Sequence, residues 1–279
     1  MDNKVNVIAE IGINHQGNFD LMKKMMLAAK KCGVDYIKSQ KREPKVCLTE
    51  EQYNRPYDSP HSFGKTYGEH KENLEFSVEQ WQELFKYADK IDVKIFMSVF
   101  DKVSANKMNE MGMDLFKIGS AEVTKLDLLE HIKSFNKPII LSTGMSTIEE
   151  IDAAVDILSG SDLTLMHCTS AYPCDETDVN LNVIQTLQKR YNGIHIGLSG
   201  HYKQGSGAIE SAAVALGCRW IERHFTLDRT MKGTDQSASL EKAGMKRVVK
   251  SVRSIERALG SHEKRVLESE KPIREKCRG

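Results

Sequence analysis

The segment Val5-Asn6-Val7-Ile8-Ala9-Glu10-Ile11-Gly12-Ile13-Asn14-His15-Gln16-Gly17-Asn18 decides how the rest of the chain reads. Its first half is apolar and β-branched, as a strand buried on both faces must be. Glu10, Asn14 and His15 follow, with Gly12 and Gly17 free to turn the backbone. A carboxylate at the carboxyl end of a buried strand faces the active-site mouth in barrels and open α/β sheets. Asn18 has a plainer task, capping a helix that begins at Phe19. That task does not account for Glu10, Asn14 and His15 together, which the sequence marks as a functional set.

Outward from this junction, short apolar runs alternate with amphipathic stretches. Strands are predicted at residues 5–11, 36–40, 94–98, 115–118, 138–142, 163–168, 195–198 and 219–224. Helical spacing appears at 19–31 (Leu21, Met25, Ala28, Ala29), 78–91 (Trp81, Leu84, Phe85, Ala88), 148–158 (Ile151, Val155, Leu158) and 240–259. Eight β–α alternations predict a single-domain α/β fold, the (β/α)8 TIM barrel. The rival, a doubly wound open sheet, needs a GxGxxG turn after the first strand, and Gly12-Ile-Asn-His-Gln-Gly17 is not one. One connection is abnormally long, residues 41–77, with Pro44, Pro56, Pro60 and Gly64. Connections of that length are functional or disordered, and Tyr67, Glu69, His70 and Lys71 suit a lid over the barrel mouth.

Composition narrows the function. The 279 residues, 40% hydrophobic, suffice for one large core. With 40 Lys+Arg against 39 Asp+Glu the net charge is +1, which supports neither a nucleic-acid nor a membrane-surface role. The six cysteines are scattered without a CxxC pair, which fits reduced thiols in a cytoplasmic protein better than disulfides or zinc. Residues 1–4 are polar and no long apolar run follows, so neither a signal peptide nor a transmembrane helix is expected.

The polar residues fall at the strand ends. Glu10 ends the first; Lys38 and Gln40 the second; Ser98 the third; Lys117 and Ser120 the fourth; Ser142 and Thr143 the fifth. His167, Thr169 and Ser170 close the sixth, Ser199 and His201 follow the seventh, and His224 ends the eighth. Singly, each has a bland account: a solvated lysine, a helix cap, a satisfied core histidine. In a barrel the eight ends converge on one site. Lysines beside small hydroxyls and exposed backbone N–H groups suit a phosphate and a carboxylate. Two imidazoles on neighbouring strands suit Mn, Zn, Fe or Co in an open, Lewis-acidic site. Glu222 shares a face of its strand with His224, either supporting that site or filling a lower barrel layer.

At this point the chain resembles the sialic acid synthase (N-acetylneuraminate synthase) family. The matching stretches are Ala9-Glu-Ile-Gly-Ile-Asn-His15, Ile37-Lys-Ser-Gln40, Phe116-Lys-Ile-Gly-Ser120, Lys137-Pro-Ile-Ile-Leu-Ser-Thr-Gly-Met145, His167-Cys-Thr-Ser-Ala-Tyr-Pro173, Ile196-Gly-Leu-Ser-Gly-His201 and Glu222-Arg-His-Phe-Thr226. The resemblance implies a TIM barrel that condenses phosphoenolpyruvate with an N-acetylated hexose. It also implies a divalent metal, Mn2+ first, with Mg2+ or Co2+ as alternatives. By the same resemblance Glu10 is the catalytic glutamate and His201 and His224 are the metal ligands. Lys38, Gln40, Ser98, Lys117, Ser120, Ser142, Ser170 and Ser199 would bind phosphoenolpyruvate, and Tyr172 and Asp235 the sugar. Ser98 matches only approximately, because its stretch is one residue shorter than the family's.

Three departures qualify this picture. The family often reads Ser-Asp-His-Thr where this chain has Ser199-Gly-His-Tyr202. Residues 41–77 differ from the better-known bacterial members. Members of the family continue into a small antifreeze-like domain, whose linker would begin near Glu270-Lys-Pro272. The expectation is a barrel over residues 1–260 with a tail at 261–279, acting as a homodimer or with a separate partner that carries the missing domain. The sugar contact that domain provides would otherwise fall to Arg42, Lys65 and Lys71 of the lid. Two other classes compete with the synthase: a Schiff-base aldolase using Lys38 or Lys117, and a non-catalytic sugar-phosphate-binding subunit.

Overall fold

The computed structural model describes residues 4–278. Residues 1–3, part of the polar start that argued against a signal peptide, lie outside them. Eight parallel strands close into a barrel in sequence order: β1 (Asn6–Gly12), β2 (Tyr36–Lys41), β3 (Lys94–Val99), β4 (Phe116–Ile118), β5 (Ile139–Ser142), β6 (Leu163–Cys168), β7 (His195–Gly200) and β8 (Trp220–His224). β8 pairs back onto β1 from Asn6↔Trp220 to Glu10↔His224, so no sheet edge is left open. The TIM barrel expected from the alternating pattern is what forms.

Around it run α1 (Phe19–Lys30), α2 (Pro44–Cys47), α3 (Glu50–Asn54), α4 (Tyr67–Glu72), α5 (Val78–Lys90), α6 (Lys102–Glu110), α7 (Leu126–Lys133), α8 (Ile148–Ile157), α9 (Asn182–Arg190), α10 (Ala208–Ala215) and α11 (Lys242–Leu259), with α12 (Lys271–Arg278) beyond. Their entries follow capping chemistry. The Asn18 side chain accepts from Leu21 N–H at 2.9 Å, and Ser77 and Thr147 form reciprocal boxes with Gln80 and Glu150. Met22, Met25, Trp81 and Leu84 bury the inner faces of α1 and α5. At the amino end of the barrel Tyr36 packs against Phe96 and Trp220, with ring centroids 5.8 and 5.2 Å away. This aromatic cluster sits at the amino end, and the polar strand ends face the opening at the other.

The segment at 41–77 is not a featureless loop. Pro44 at a helix start, and capping boxes at Thr49–Gln52 and Thr66–Glu69, nucleate α2, α3 and α4. Buried His70 is surrounded by Tyr57, Tyr67 and Phe63, with centroids at 4.7, 6.1 and 5.9 Å. Four barrel helices that the apolar spacing left unmarked, α6, α7, α9 and α10, are short, from 8 to 9 residues. Past Leu259 the described residues are exposed, including Val266, Leu267 and Ile273 of the tail. All six cysteines are free. No helix among the described residues is long and apolar enough to cross a membrane.

Behind β8 lies a second buried ion pair. Arg223 is fully buried, pairs with Glu210 of α10 and donates to the Tyr202 and Gln204 carbonyls. The Tyr202 hydroxyl donates to the same Glu210 at 2.7 Å. Removing one partner of a buried pair leaves the other charge uncompensated. Glu210→Ala is therefore expected to lower the unfolding free energy by about 3–5 kcal/mol, read as a fall in the urea midpoint at unchanged slope.

Candidate active site

The residues that the family resemblance assigned to catalysis, substrate and metal all line one cavity of about 310 Å³ at the carboxyl end of the barrel. Strand register does the assembling. Glu10 lies level with Lys38 on one side and with His224 on the other. Ser98 lies level with both Gln40 and Lys117, and Ser199 with Glu222.

The cavity floor is a chain of alternating charge. Glu10 Oε2 is 2.7 Å from Lys38 Nζ. Lys38 Nζ is also 3.6 Å from Glu222 Oε1, and Glu222 Oε2 is 4.0 Å from Lys117 Nζ. All four are buried. Hydroxyls complete the set: Lys38 donates to Ser98 Oγ at 3.0 Å, Lys117 to Ser142 Oγ, and Ser199 Oγ to Glu222 Oε1 at 3.2 Å. Gln40 Nε2 donates to Glu10 Oε1 at 3.2 Å. Burial works against every charge here. For Glu222 it is outweighed by Lys117 and Lys38, and the carboxyl is held below its usual range. For Lys38, Glu10 and Glu222 outweigh burial and raise its pKa. For Lys117, burial wins, aided by the charge of Lys38, and its proton is held more weakly than usual.

Beside the floor, the Gly144 N–H donates to Ser120 Oγ at 3.0 Å. Ser170 Oγ is buried and has no hydrogen-bond partner among the described residues. A Cβ at Gly144 would sit 2.2 Å from that oxygen, so only glycine lets these hydroxyls gather. A serine hydroxyl left open in the cavity that Lys38 and Lys117 also line is suited to an incoming anion.

The imidazoles stand on the opposite wall. His201 and His224 have ring centroids 5.3 Å apart, with the Tyr172 ring 4.2 and 5.7 Å away. His201 Nδ1 is 2.7 Å from the Thr169 carbonyl. A carbonyl can only accept, so Nδ1 carries the proton and Nε2 is left with its lone pair, the usual state of a metal-ligating histidine. Burial, then the charge of His224, pushes the His201 pKa down to about 3, which keeps the ring neutral. His224 Nδ1 is buried with no hydrogen-bond partner among the described residues, and Asp235 Oδ2 lies 3.6 Å from it. The two imidazoles and a nearby carboxylate are ligand types that suit a divalent cation in an open site. Among the described residues no group of three or more His, Cys, Asp or Glu side chains is placed to hold a metal ion.

Some expectations need correction. Asn14 does not join Glu10: its side chain donates to the Phe225 carbonyl at 3.0 Å and to Ser239 Oγ at 2.8 Å, locking the turn after β1 onto the loop after β8. His15 stacks on Phe76 at 4.4 Å and accepts from Gly17 N–H. His167 and Thr169 bond the Val179 and Asp178 carbonyls instead of facing the cavity. Of the lid cations, Arg42 and Lys71 line the cavity, whereas Lys65 is exposed and does not. Glu222 and Glu122 also line it and had been given no binding or catalytic role. For Glu222 the signal was there, two residues before His224 on one strand face. For Glu122 it depends on how the turn after β4 folds back.

The Gly200 departure has a steric cause. A Cβ there would lie 2.6 Å from the Tyr202 ring, which stacks on the Arg223 guanidinium at 3.9 Å. Glycine at 200 and tyrosine at 202 are one packing solution. Gly200→Asp alone should destabilise by about 1–3 kcal/mol through overpacking. Adding Tyr202→Thr should recover part of that loss in a thermal melt, and strict additivity would show that the two positions do not share the space.

Comparisons with known proteins identify the family. A family model described as the NeuB family matches residues 25–264. The chain is 43% identical over 272 residues to the N-acetylneuraminate-9-phosphate synthase of Homo sapiens, spanning 97% of this chain and 75% of that protein. It is 36% identical over 273 residues to the N,N'-diacetyllegionaminic acid synthase of Campylobacter jejuni, spanning 96% and 81%. The solved N-acetylneuraminic acid (sialic acid) synthetase of Leptospira borgpetersenii, in complex with citrate, matches with a TM-score of 0.84 at 31% identity, covering 99% of this chain and 93% of that one. With the family model spanning most of the barrel and relatives well above 30% identity along nearly its whole length, this chain belongs to the NeuB family, the family of sialic acid synthases.

Proposed function

We propose that this chain condenses phosphoenolpyruvate with an N-acetylated sugar, N-acetylmannosamine or a derivative, to give a nonulosonic acid and phosphate. That it is a carbon–carbon bond-forming synthase follows from its family. The substrates and the metal are read from the site. The observation that carries the reading is the buried alternation Glu10–Lys38–Glu222–Lys117, which opens with its hydroxyls onto the same cavity as both imidazoles.

Phosphoenolpyruvate brings a phosphate and a carboxylate. Lys38 and Lys117 meet them with ammonium groups, and Ser98, Ser120, Ser142, Ser170 and Ser199 with hydroxyls already aimed inward. Because these donors are fixed before substrate arrives, they stabilise charge with little reorganisation. A divalent cation held by His201 and His224, manganese by preference, would supply Lewis-acid polarisation of the acceptor aldehyde. The C3 carbon of phosphoenolpyruvate forms the new bond to that aldehyde carbon. Water adds at C2, and loss of phosphate leaves the 2-keto-3-deoxy acid. Glu10, hydrogen-bonded by Gln40 and paired with Lys38, is positioned to take the proton from that water. Tyr172 covers the imidazoles and Asp235 stands beside His224, where the sugar must lie.

Two experiments test this. His224→Ala should abolish manganese binding in calorimetry and phosphate release with it, while the melting temperature stays near that of the parent. Full turnover under excess chelator would sink the metal assignment. Lys117→Met keeps the aliphatic stem and removes the charge, so phosphoenolpyruvate affinity should fall about tenfold or more, the worth of a charge-assisted contact. Borohydride trapping of a pyruvate adduct on Lys117 or Lys38 would instead favour an aldolase.

A further inference from the structure

At the rim of the cavity the lid touches the loop after β8 through its tip. Residues 55–57 and 65–67 run antiparallel, with Pro56 bridged to Thr66, Tyr57 N–H donating to the Lys65 carbonyl at 3.0 Å and Tyr67 N–H to the Arg55 carbonyl at 2.9 Å. The turn between them, residues 58–64, is the tip. It is tied back onto α4: Phe63 N–H donates to His70 Nδ1 at 3.1 Å, and Asn73 Nδ2 donates to the Phe63 carbonyl at 2.6 Å. A Cβ at Gly64 would lie 2.5 Å from the His70 backbone nitrogen, so the tip lies flat against that helix. From this fixed base two contacts cross to the β8 loop. His61 Nδ1 accepts from Gly233 N–H at 3.2 Å, and the Phe63 ring lies 4.7 Å from the Lys232 ammonium. Gly233 has φ +144°, a conformation that favours glycine, so the turn that meets the tip is specified by the sequence.

These contacts fall two and three residues before Asp235, the carboxylate beside His224. The other flank of Asp235 is fastened to the turn after β1: Gln236 Nε2 donates to the Asn14 carbonyl at 3.2 Å, and Ser239 Oγ, which receives the Asn14 amide, donates to the Asp235 carbonyl at 2.7 Å. On the near flank Gln16 Nε2 donates to the Lys232 carbonyl at 2.6 Å, and the lid supplies the rest. We propose that the lid tip is a positioning element of the acceptor site, in which His61 and Phe63 fasten Lys232 and Gly233 and so hold Asp235 where the sugar must lie. This rests on the condensation proposed above. Neither side chain lines the cavity, so both act through the loop. A loop released on one flank occupies its binding position for a smaller fraction of the time, and apparent acceptor affinity falls by that fraction. The strand ends that hold phosphoenolpyruvate do not depend on the tip.

The test pairs two readouts on the full chain. One is amide hydrogen exchange over residues 232–236 without substrates. The other is phosphate release with phosphoenolpyruvate, saturating manganese and N-acetylmannosamine or its 6-phosphate. In His61→Ala with Phe63→Leu, exchange should quicken and the acceptor KM should rise, each by about tenfold, the combined worth of a hydrogen bond and an exposed cation–π contact. The kcat and the KM for phosphoenolpyruvate should stay near those of the parent. His61→Asn with Phe63→Tyr should recover most of the loss, because the Asn oxygen accepts where Nδ1 did and the Tyr ring keeps its face to Lys232. A merely structural role would move kcat and both KM values together, and that result overturns the inference. An acceptor KM that stays at the parent's value while exchange quickens also overturns it and leaves the condensation standing. Faster exchange in a chain whose parent releases no phosphate with either acceptor upholds the fastening of the loop and overturns the condensation.

Discussion

The Glu222 carboxylate, shared between Lys38 and Lys117, is the interaction on which the site depends. Removing two ammonium groups and two carboxylates from water costs several kcal/mol per ion. That cost is offset only because the four alternate in sign and each finds hydroxyl or amide partners. Without Glu222 no carboxylate would stand between the two lysines. With it the floor is neutral overall, yet Lys117 holds its proton weakly. An anion brought beside Lys117 would strengthen that hold, so the floor is poised for a ligand it does not itself supply.

The closed barrel is what allows this. β8 carries Glu222 and His224 inward and Arg223 outward, because successive side chains of a strand point to opposite faces. Outside, Arg223 ties the strand to Glu210 of α10 and to the backbone carbonyls of the segment after β7. That segment begins with His201. The same strand therefore fixes one imidazole from within and steadies the other from behind, which is why glycine at 200 and tyrosine at 202 go together.

The lid is fastened just as firmly. Lys41 at the end of β2 pairs with Glu75 at 3.0 Å and Glu43 at 3.3 Å. Asp101, the cap of α6, also accepts from Glu43 N–H at 2.9 Å. The rim cations thus sit on a folded platform. A long insertion costs little in closure entropy when it supplies its own caps and aromatic packing. That is how 41–77 escapes the disorder its length alone suggested.

The sequence by itself determined the barrel and the membership of its mouth. Periods of 2 and 3.6 mark strands and longer helices whatever their partners, and a polar residue ending a buried strand has little reason to be there except an opening. Glu10, Lys38, Lys117, His201 and His224 were legible on those terms, and motif order added the serines, Tyr172 and Asp235. Short helices such as α7 and α10 were not, since two turns carry too few apolar positions to establish a period. Only the tertiary structure decided that Asn14 and His15 hold loops, that Glu222 bridges two lysines, and that Arg42 and Lys71, but not Lys65, reach the cavity. Those roles depend on distances between segments far apart in the chain. Strand register and the path of the lid set those distances, and neither is encoded in the local pattern around any one residue.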